Sequence, residues 1–449
     1  MMQQTEIPVE QANPIADKPR NDLSFLRKAF MVNSSAVVCL FLAVLQSAVL
    51  SRWLGPEGIG QYTVILSALM LAPTIACMGI PQAYLYFSHH DRSRRIEYLM
   101  NAIWAMVGLG LSAGAITAMI LMAFPGYFGR LSGAILVVVI LYLPVVLLSY
   151  IGKNDLLVEI EARRISILEV MANLGDLGIV VALYAIGWLT IETAVLAFMS
   201  MATIRWLFAW NWIRHRMDRS IRPGLETCRQ LTRMGIRQNW IELMVMLNAQ
   251  LSILLLNYAG GDFASVGYFS RGQRIALLVF LVCRSVMPML FSKWASLSEE
   301  KLTGHIEKVL RFASTLVLVL TAGVLLTGKW LVILLYGRDF LPAVRPMLIL
   351  LPGSIMYMLS YTLMQLLNSR GKPELSTRAL VVNGIVNVLL SLALIPSIGM
   401  DGAAIASSIS NIALLILLYW IVQKHYSIRL GHSWFLNRED WRKVRQQVL

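Results

Sequence analysis

The stretch LSGAILVVVILYLPVVLLSYIG at residues 131–152 contains 22 consecutive residues without a charge. About 20 apolar residues in an α-helix cross the hydrocarbon core of a bilayer. Arg130 precedes this stretch, whereas Lys153, Arg163 and Arg164 follow it. Lys and Arg accumulate in the cytoplasmic connectors of membrane proteins. The sequence therefore predicts a transmembrane helix here, with its C-terminal end in the cytoplasm.

Eleven more apolar runs lie between residues 30 and 423, which predicts an all-α integral membrane protein with twelve spans. Only 14% of the 449 residues are charged and 57% are hydrophobic, whereas a soluble domain carries about 25% charged residues. The connectors are too short for a soluble catalytic domain, and a short apolar stretch at 330–336 is expected at the membrane interface. The predicted spans are 30–51, 61–88, 97–124, 131–152, 166–188, 191–213, 234–258, 264–292, 308–328, 343–368, 376–396 and 402–423.

Positive charge alternates between the two sides of these spans. Thirty of the 39 Lys and Arg residues fall in the two tails, in the connectors that follow even-numbered spans, or in the first four residues of the spans after those connectors. The connectors near 188–192 and 396–401, on the other side, carry none. This asymmetry predicts that both termini are cytoplasmic. The net charge of +14 is accordingly assigned to contacts with anionic lipid head groups, and no nucleic-acid partner is predicted.

The two halves of the chain repeat each other, which predicts two six-helix lobes in the same orientation. Asn33 lies 29 residues before Tyr62, and Asn239 lies 29 residues before Tyr268. Parallel repeats bind substrate between the halves near the middle of the membrane and rock to alternate access. The predicted segments are a cytoplasmic N-terminal tail at 1–29, an N-terminal lobe at 30–213, a cytoplasmic linker at 214–233, a C-terminal lobe at 234–423 and a cytoplasmic C-terminal tail at 424–449.

Polar side chains recur at helical spacing in several spans, and such side chains usually face the interior of a membrane protein. Asn239 and Gln250 lie on the seventh span, and Asn383 and Asn387 lie on the eleventh. Such stripes either line a hydrated cavity or form hydrogen bonds between helices. Because several stripes occur together, we predict a cavity with these four residues among its substrate contacts.

Four arginines are further candidate substrate contacts. Arg271 and Arg274 begin the eighth span, Arg284 lies later in it, and Arg205 lies in the sixth. A guanidinium at the centre of the bilayer costs about 2.5–3.5 kcal/mol on insertion scales and needs a partner or water. Arginine binds phosphate through two parallel hydrogen bonds, so these residues are predicted to contact an anionic substrate. Snorkelling to the head groups, or pairing inside the membrane, is the alternative.

Two carboxylates inside spans, Asp176 and Glu242, are candidates for cation coupling. A carboxylate in apolar surroundings can exchange a proton, whereas the alternative is a structural ion pair with a buried arginine. All six histidines lie in loops or tails, and the four cysteines lack the spacing of metal ligands. No metal site, cofactor or catalytic residue is predicted.

Two stretches of the chain resemble a known transporter superfamily. One is RWLGPEGIGQYTV at 52–64, followed by Gly79. The other is YGRDFLPAVRPMLILLPG at 336–353, which continues through 371–373 and ends in LIPSIGMDGAAIASSIS at 394–410. These patterns resemble the polysaccharide (Wzx-like oligosaccharide) flippase branch of the multidrug/oligosaccharidyl-lipid/polysaccharide exporter (MOP) superfamily. The resemblance covers nearly the whole chain.

The resemblance implies a V-shaped fold of two lobes with a cationic central cavity. It also implies transport of undecaprenyl-pyrophosphate-linked oligosaccharide across the bacterial inner membrane, coupled to H⁺ or Na⁺. A polysaccharide polymerase and a chain-length regulator are the protein partners that such flippases are expected to serve, in exopolysaccharide or O-antigen synthesis. The chain ends after twelve spans, which argues against a fourteen-span peptidoglycan-precursor flippase.

Two other functions were weighed against this prediction. A cation-coupled multidrug exporter of the same superfamily would be expected to have an acidic cavity for cationic compounds, whereas basic residues outnumber acidic ones within these spans. A membrane polysaccharide polymerase or ligase would need a sizeable periplasmic loop, and the sequence has none. The leading prediction is a flippase that is not an enzyme.

Overall fold

The computed structural model describes residues 22–159, 161–216, 224–260, 262–284 and 297–426, together with Leu290 and Trp294. Every regular element in these residues is a helix. The long helices are α1 (Asp22–Ala76), α2 (Ile80–His90), α3 (Arg95–Ala123), α5 (Gly133–Val158), α6 (Ala162–Ile186), α7 (Ile191–Ile213), α8 (Leu225–Gly260), α9 (Phe263–Arg284), α10 (Glu299–Tyr336), α11 (Val344–Ser369) and α12 (Pro373–Tyr426). Short turns of helix occupy α4 (Pro125–Phe128), Arg214–Arg216 and Arg338–Ala343.

These helices make twelve crossings of a membrane. Nine helical stretches of the described residues are long and apolar enough to cross, and two of them, Ser34–His90 and Pro373–Tyr426, have 57 and 54 residues. Each of these two is long enough for two crossings and turns back at a glycine with positive φ, Gly55 or Gly399. Helix α9 is not among these nine stretches, but its 22 residues are long enough for a crossing, which brings the number to the twelve that the sequence predicts.

The helix ends differ from the predicted boundaries at several places. Helix α1 begins at Asp22, inside the predicted N-terminal tail, and α8 begins at Leu225, inside the predicted linker. The apolar stretch at 330–336 was predicted to lie at the membrane interface by itself, but it forms the last two turns of α10. The predicted C-terminal tail lies outside the described residues after Tyr426.

The crossings pack as two halves, α1–α7 and α8–α12. In the first half α3 packs on α5 and α6 on α1, and in the second half α12 packs on α8 and α11. The halves meet where α1 contacts α8 and α9 and where α2 contacts α8. We call the end of the bundle with connectors 91–94 and 214–224 the basic end. The end with connectors 124–132 and 187–190 is the arginine-poor end.

Close backbone contacts join the halves at the arginine-poor end. A Cβ atom placed on Gly60 would lie 1.7 Å from the carbonyl oxygen of Phe263, and one on Gly267 would lie 2.1 Å from that of Pro56. Small residues let helices in a membrane approach this closely, which increases their van der Waals contact. The two halves are therefore packed backbone to backbone on this side of the cavity described next.

Candidate substrate-binding cavity

A cavity of about 450 Å³ lies between the two halves. Of the described residues of the first half, only those of α1 contribute to it, from both sides of the turn at Gly55. The second half contributes α8, α9, α11, α12 and the C-terminal end of α10. Its volume is within the range of about 300–1,000 Å³ that is usual for small-molecule sites.

The α1 wall of the cavity is mostly apolar. Its lining residues are Leu40, Ala43, Val44, Ser47, Thr63, Leu66 and Met70. The hydroxyl group of Thr63 donates to the carbonyl oxygen of Ile59, one turn earlier in its own helix, at 2.7 Å. This wall therefore offers few polar groups to a ligand.

The opposite wall carries carboxamides that are held by one another and by serines. The amide of Asn383 donates to Oδ1 of Asn411 at 3.3 Å. Asn387 donates to the hydroxyl of Ser410 at 3.3 Å and accepts hydrogen bonds from Ser252 and Ser391 at 3.3 and 3.1 Å. Both asparagines line the cavity; their contact with a substrate stays a prediction. Side chains fixed in this way present donors and acceptors to a ligand without first having to become ordered.

Gln250 bridges the two walls at one edge of the cavity. Its Oε1 accepts a hydrogen bond from the hydroxyl of Ser67 on α1 at 2.9 Å, and its Nε2 faces the sulfur of Met70 at 3.5 Å. Gln250 lines the cavity. The sulfur atom is a weak acceptor, so this amide keeps donor capacity for a stronger partner.

Arg274 is the only charged residue that lines the cavity in the described part of the chain. It lies on α9 beside Gln273 and Leu277, it lines the same cavity as the carboxamides of α12, and its side chain is exposed. A guanidinium presents five N–H donors in a planar fork that matches phosphate. The cavity therefore combines one fixed positive charge with neutral hydrogen-bonding groups.

Arg271 was predicted to share this face, but it lies outside the cavity lining. Its side chain is 1% exposed, its Nε donates to the hydroxyl of Ser51 at 2.7 Å, and its guanidinium lies 5.6 Å from the ring centre of Tyr336. Residues three apart on an α-helix point about 60° away from each other. That angle is enough to direct Arg274 into the cavity and Arg271 into the packed interface between α1, α9 and α10.

A second arginine crosses the halves next to Arg271. Arg52 on α1 donates to the carbonyl oxygens of Leu334 and Leu335 at the end of α10. The last carbonyl groups of a helix have no partner within it, and a cation placed there is favourable. Arg52 and Arg271 thus join α1 to α10 on the arginine-poor side of the cavity.

Asn239 and Glu242, which the sequence placed in a polar stripe with Gln250, lie at the basic end and do not line the cavity. Nδ2 of Asn239 donates to the carbonyl oxygen of Thr74 at 2.9 Å, and Oε2 of Glu242 accepts a hydrogen bond from Gln82 at 2.7 Å. Both bonds run from α8 to the first half. They are contacts between the halves rather than contacts with the cavity.

Arg205 and Asp176 lie within the first half, away from the cavity lining. Arg205 forms an ion pair with Glu169 at 3.0 Å, and Lys153 pairs with the same carboxylate at 2.8 Å. Asp176 is 1% exposed and accepts a hydrogen bond from Gln46 at 2.7 Å, while its Oδ1 has no partner among the described residues. The side chain of Arg284 lies outside the described residues.

A sequence profile described as "Polysaccharide biosynthesis protein" matches residues 25–294, which is more than half of the chain. The chain belongs to this family. A profile described as "Lipid II flippase MurJ" also matches, over residues 164–441. The protein is thus a flippase of the MOP superfamily, as the sequence motifs predict.

A curated relative of this flippase is the "Probable low-salt glycan biosynthesis flippase Agl15" of Haloferax volcanii, 26% identical over 175 residues. The match covers 37% of this chain and 36% of the relative, so about a third of each protein is compared.

Two solved structures share the fold of this flippase. The inward closed conformation of the lipid II flippase MurJ superposes with a TM-score of 0.73 at 14% identity, covering 94% of this chain and 96% of the other. The inward-facing conformation of a multidrug resistance MATE family transporter gives 0.69 at 16% identity, covering 90% and 99%. The prediction of an all-α, two-lobed exporter fold is confirmed.

Several lining residues of this flippase were not predicted from the sequence. They are Asn248, Gln273, Tyr336, Ser407 and Asn411. Asn248 and Asn411 lie in apolar helices, where an amide side chain is energetically costly and is therefore a candidate for a functional residue. Treating every asparagine in an apolar run as a candidate would have identified both. Tyr336 lies at the end of α10, where a tyrosine is common at the membrane interface, so the sequence carries no signal for its role.

Proposed function

We propose that this flippase moves undecaprenyl-pyrophosphate-linked oligosaccharide units across the bacterial inner membrane by alternating access, in the synthesis of exopolysaccharide, O-antigen or a similar polymer. Family membership supports transport rather than catalysis. The observation that carries the substrate class is the cavity, where Arg274 is the single charge of the described lining and the carboxamides of α8 and α12 line the same space.

In this proposal each part of the cavity binds a different part of the substrate. Arg274 binds the pyrophosphate through charge-assisted hydrogen bonds, which contribute about 1.5–3 kcal/mol each. Gln250, Asn383 and Asn387 bind sugar hydroxyl groups, which both donate and accept hydrogen bonds. The apolar α1 wall contacts the less polar faces of the substrate. Arg271 acts behind Arg274, where it holds α1 against α9.

The intramembrane carboxylates receive different roles. Asp176 is the better candidate for coupling to H⁺ or Na⁺, because it is buried, has an oxygen without a partner in the described residues and contacts α1 through Gln46. Gln46 precedes Ser47, which lines the cavity on the same helix. Glu242 lies in a contact between the halves, so we assign it to closure of the basic end.

We place both termini, and hence the basic end, in the cytoplasm, because the connectors there hold most of the Lys and Arg residues. Substrate would then enter the cavity from the basic end and leave at the arginine-poor end. The polymerase and the chain-length regulator of the same polymer would act downstream of this step.

The alternative is a cation-coupled multidrug exporter, whose known representatives share the fold. The charge of the cavity argues against cationic drugs, because Arg274 repels them and no described lining residue is acidic. Because both functions occur in this fold, a transport experiment distinguishes them.

The test uses the purified protein in lipid vesicles loaded on one side with a fluorescent undecaprenyl-pyrophosphate oligosaccharide. A membrane-impermeant glycosidase reports how much oligosaccharide reaches the other leaflet, and efflux of a cationic dye is measured in parallel. We expect translocation of the lipid-linked oligosaccharide and no dye efflux. Dye efflux without oligosaccharide translocation would overturn the proposal in favour of a drug exporter.

A further inference from the structure

The second crossing is broken at the basic end, between Ala76 and Ile80. Met78 has φ of 46° and is the only residue other than glycine with positive φ in the described part of the chain. Gly79, which follows it, has φ of 68°. The left-handed region is unfavourable for a residue with a Cβ atom, so a surrounding contact must hold Met78 there.

The break removes the normal partner of one carbonyl group, and the other half of the protein replaces it. In a continuous helix the amide of Met78 would donate to the carbonyl oxygen of Thr74, but here it donates to Ile75 at 3.4 Å. The carbonyl oxygen of Thr74 instead accepts a hydrogen bond from Nδ2 of Asn239 at 2.9 Å. The Cys77 thiol adds a weaker contact to the same oxygen at 3.3 Å.

The backbone geometry of the break also fits the opposite half closely. A Cβ atom on Gly79 would lie 2.0 Å from the carbonyl oxygen of Gly235, and one on Gly235 would lie 2.6 Å from that of Met78. Asn239 lies one turn of α8 after Gly235, and the Gln82–Glu242 hydrogen bond follows at the next turn. The broken shape of the second crossing is thus matched to a docked α8.

We propose that Asn239 is a positioning residue for transport. It caps the broken second crossing from the opposite half. Opening of the basic end and a change in the backbone path of this crossing therefore occur together. When α8 moves away, the Thr74 carbonyl loses its amide donor and keeps only the weaker thiol contact, and Met78 loses the contacts that hold it at positive φ. Both changes favour a different backbone path, which gives the halves two discrete arrangements. The proposal rests on the alternating access proposed above but not on the identity of the substrate.

The test measures distances between spin labels on the purified protein in lipid nanodiscs without substrate, with its four cysteines replaced by alanine. One label pair, Arg92→Cys with Gln230→Cys, reports on the basic end, and a second, Arg130→Cys with Arg338→Cys, reports on the arginine-poor end. All four positions are exposed. Because no substrate is present, the outcome does not depend on whether the proposed substrate is right.

Asn239→Leu keeps the size of the side chain and removes the donor. We expect the ratio of open to closed protein at the basic end to rise about tenfold, the size expected for a buried carbonyl left without a donor. Asn173→Leu is the matched control, because Nδ2 of Asn173 donates to the backbone carbonyl oxygen of Glu169 within its own helix at 2.8 Å. This substitution should leave the label distances unchanged.

Met78→Gly separates the proposed role from a general loss of packing. Glycine adopts positive φ without strain, so this substitution should lower the open-to-closed ratio several-fold and should partly restore closure in the Asn239→Leu protein. The proposal is overturned if Asn239→Leu leaves the basic-end distances unchanged, if it broadens both label pairs equally, or if Met78→Gly shifts the protein towards the open arrangement.

Discussion

The two halves of this flippase use polar residues in opposite ways, although both are built from six crossings. In the first half, the charges inside the bundle are paired with each other, and Asp176 is the exception among the described residues. Glu169 lies between Lys153 and Arg205, and Asp155 accepts hydrogen bonds from Arg95 and Arg216. In the second half, the polar side chains that face the cavity are carboxamides and hydroxyl groups, and they leave Arg274 as the one charge of the described lining.

This difference separates structural stability from ligand binding. Charges that are paired inside one half are already compensated, so they hold helices together and have little to offer a ligand. A guanidinium that has no ion pair among the described residues, in a cavity with neutral amides, can instead gain a partner when a polar anion enters. The comparison predicts that substitutions in the first half affect stability and that substitutions along the cavity wall affect transport.

The largest effect on stability is expected at Asp155, whose side chain is 1% exposed. Its carboxylate accepts hydrogen bonds from Tyr84, Arg95 and Arg216 at 2.6, 2.6 and 3.2 Å. Breaking a fully buried pair costs about 3–5 kcal/mol. Asp155→Ala leaves Glu159 as the remaining carboxylate of Arg95 and Arg216, which are 19% and 34% exposed, so we expect a cost near the lower end of that range. Thermal unfolding in detergent, followed by intrinsic fluorescence, should show a large fall in melting temperature. Glu161→Ala is the control, because the Glu161–Arg164 pair at 3.1 Å is solvated and contributes about 0–1 kcal/mol. Equal melting temperatures for the two variants would contradict the comparison.

Arg274→Ala is expected to have the largest effect on transport with little effect on stability. Losing one or two charge-assisted hydrogen bonds of about 1.5–3 kcal/mol each lowers the translocation rate at limiting substrate by about 10–150-fold or more. Arg274→Lys keeps the charge but loses the fork, so it should be intermediate. The vesicle assay measures the rate, and Arg130→Ala, at an exposed position outside the cavity, should transport normally. Normal transport by the Arg274→Ala variant would show that Arg274 does not bind the anionic part of the substrate.

Asn387→Leu tests whether the carboxamide wall contacts the substrate. The substitution removes the acceptor of Ser252 and Ser391 and the donor to Ser410, and each lost polar contact costs about 1–3 kcal/mol. We expect substrate affinity to fall about tenfold while the maximal rate falls less. The dependence of the rate on substrate concentration distinguishes these effects. A melting temperature far below that of the unsubstituted protein, with affinity retained in the folded fraction, would assign Asn387 to packing alone.

The smallest effect is the pH dependence contributed by Glu159, outside the membrane at the basic end of the first half. The Arg95 guanidinium beside it holds the pKa of this carboxyl below its ordinary value of 4.5. A lowered pKa in the folded state adds stability that is fully present above pH about 4.5 and is lost as the pH falls through the folded pKa. The Glu159 side chain is 39% exposed, so screening limits the effect to less than about 1 kcal/mol. The melting temperature of Glu159→Gln should therefore approach that of the unsubstituted protein on acidification from pH 7 to below pH 4.5, and a constant difference would contradict this assignment.

Helical spacing in the sequence indicated some of the residues that line the cavity and missed the positions of others. Gln250, Asn383, Asn387 and Arg274 were predicted as substrate contacts and line the cavity. Asn239 was placed on the same face as Gln250, but it lies eleven residues, or about three turns, nearer the basic end. A helical stripe specifies an angle around the helix axis. It does not specify which helix packs against each level of the stripe, so its members can have different partners.

What the sequence determined by itself is local along the chain. The apolar runs set the crossings, because about 20 apolar residues are needed to match the bilayer, and the Lys and Arg pattern gave the alternation of the connectors. The tertiary structure decided which polar residues meet. Arg271 and Arg274 are three residues apart, yet one is fixed between Ser51 and Tyr336 and the other faces the cavity. That difference depends on α1 and α10, which are distant in sequence, and the free energy of a buried polar group depends on the partner that packing brings to it.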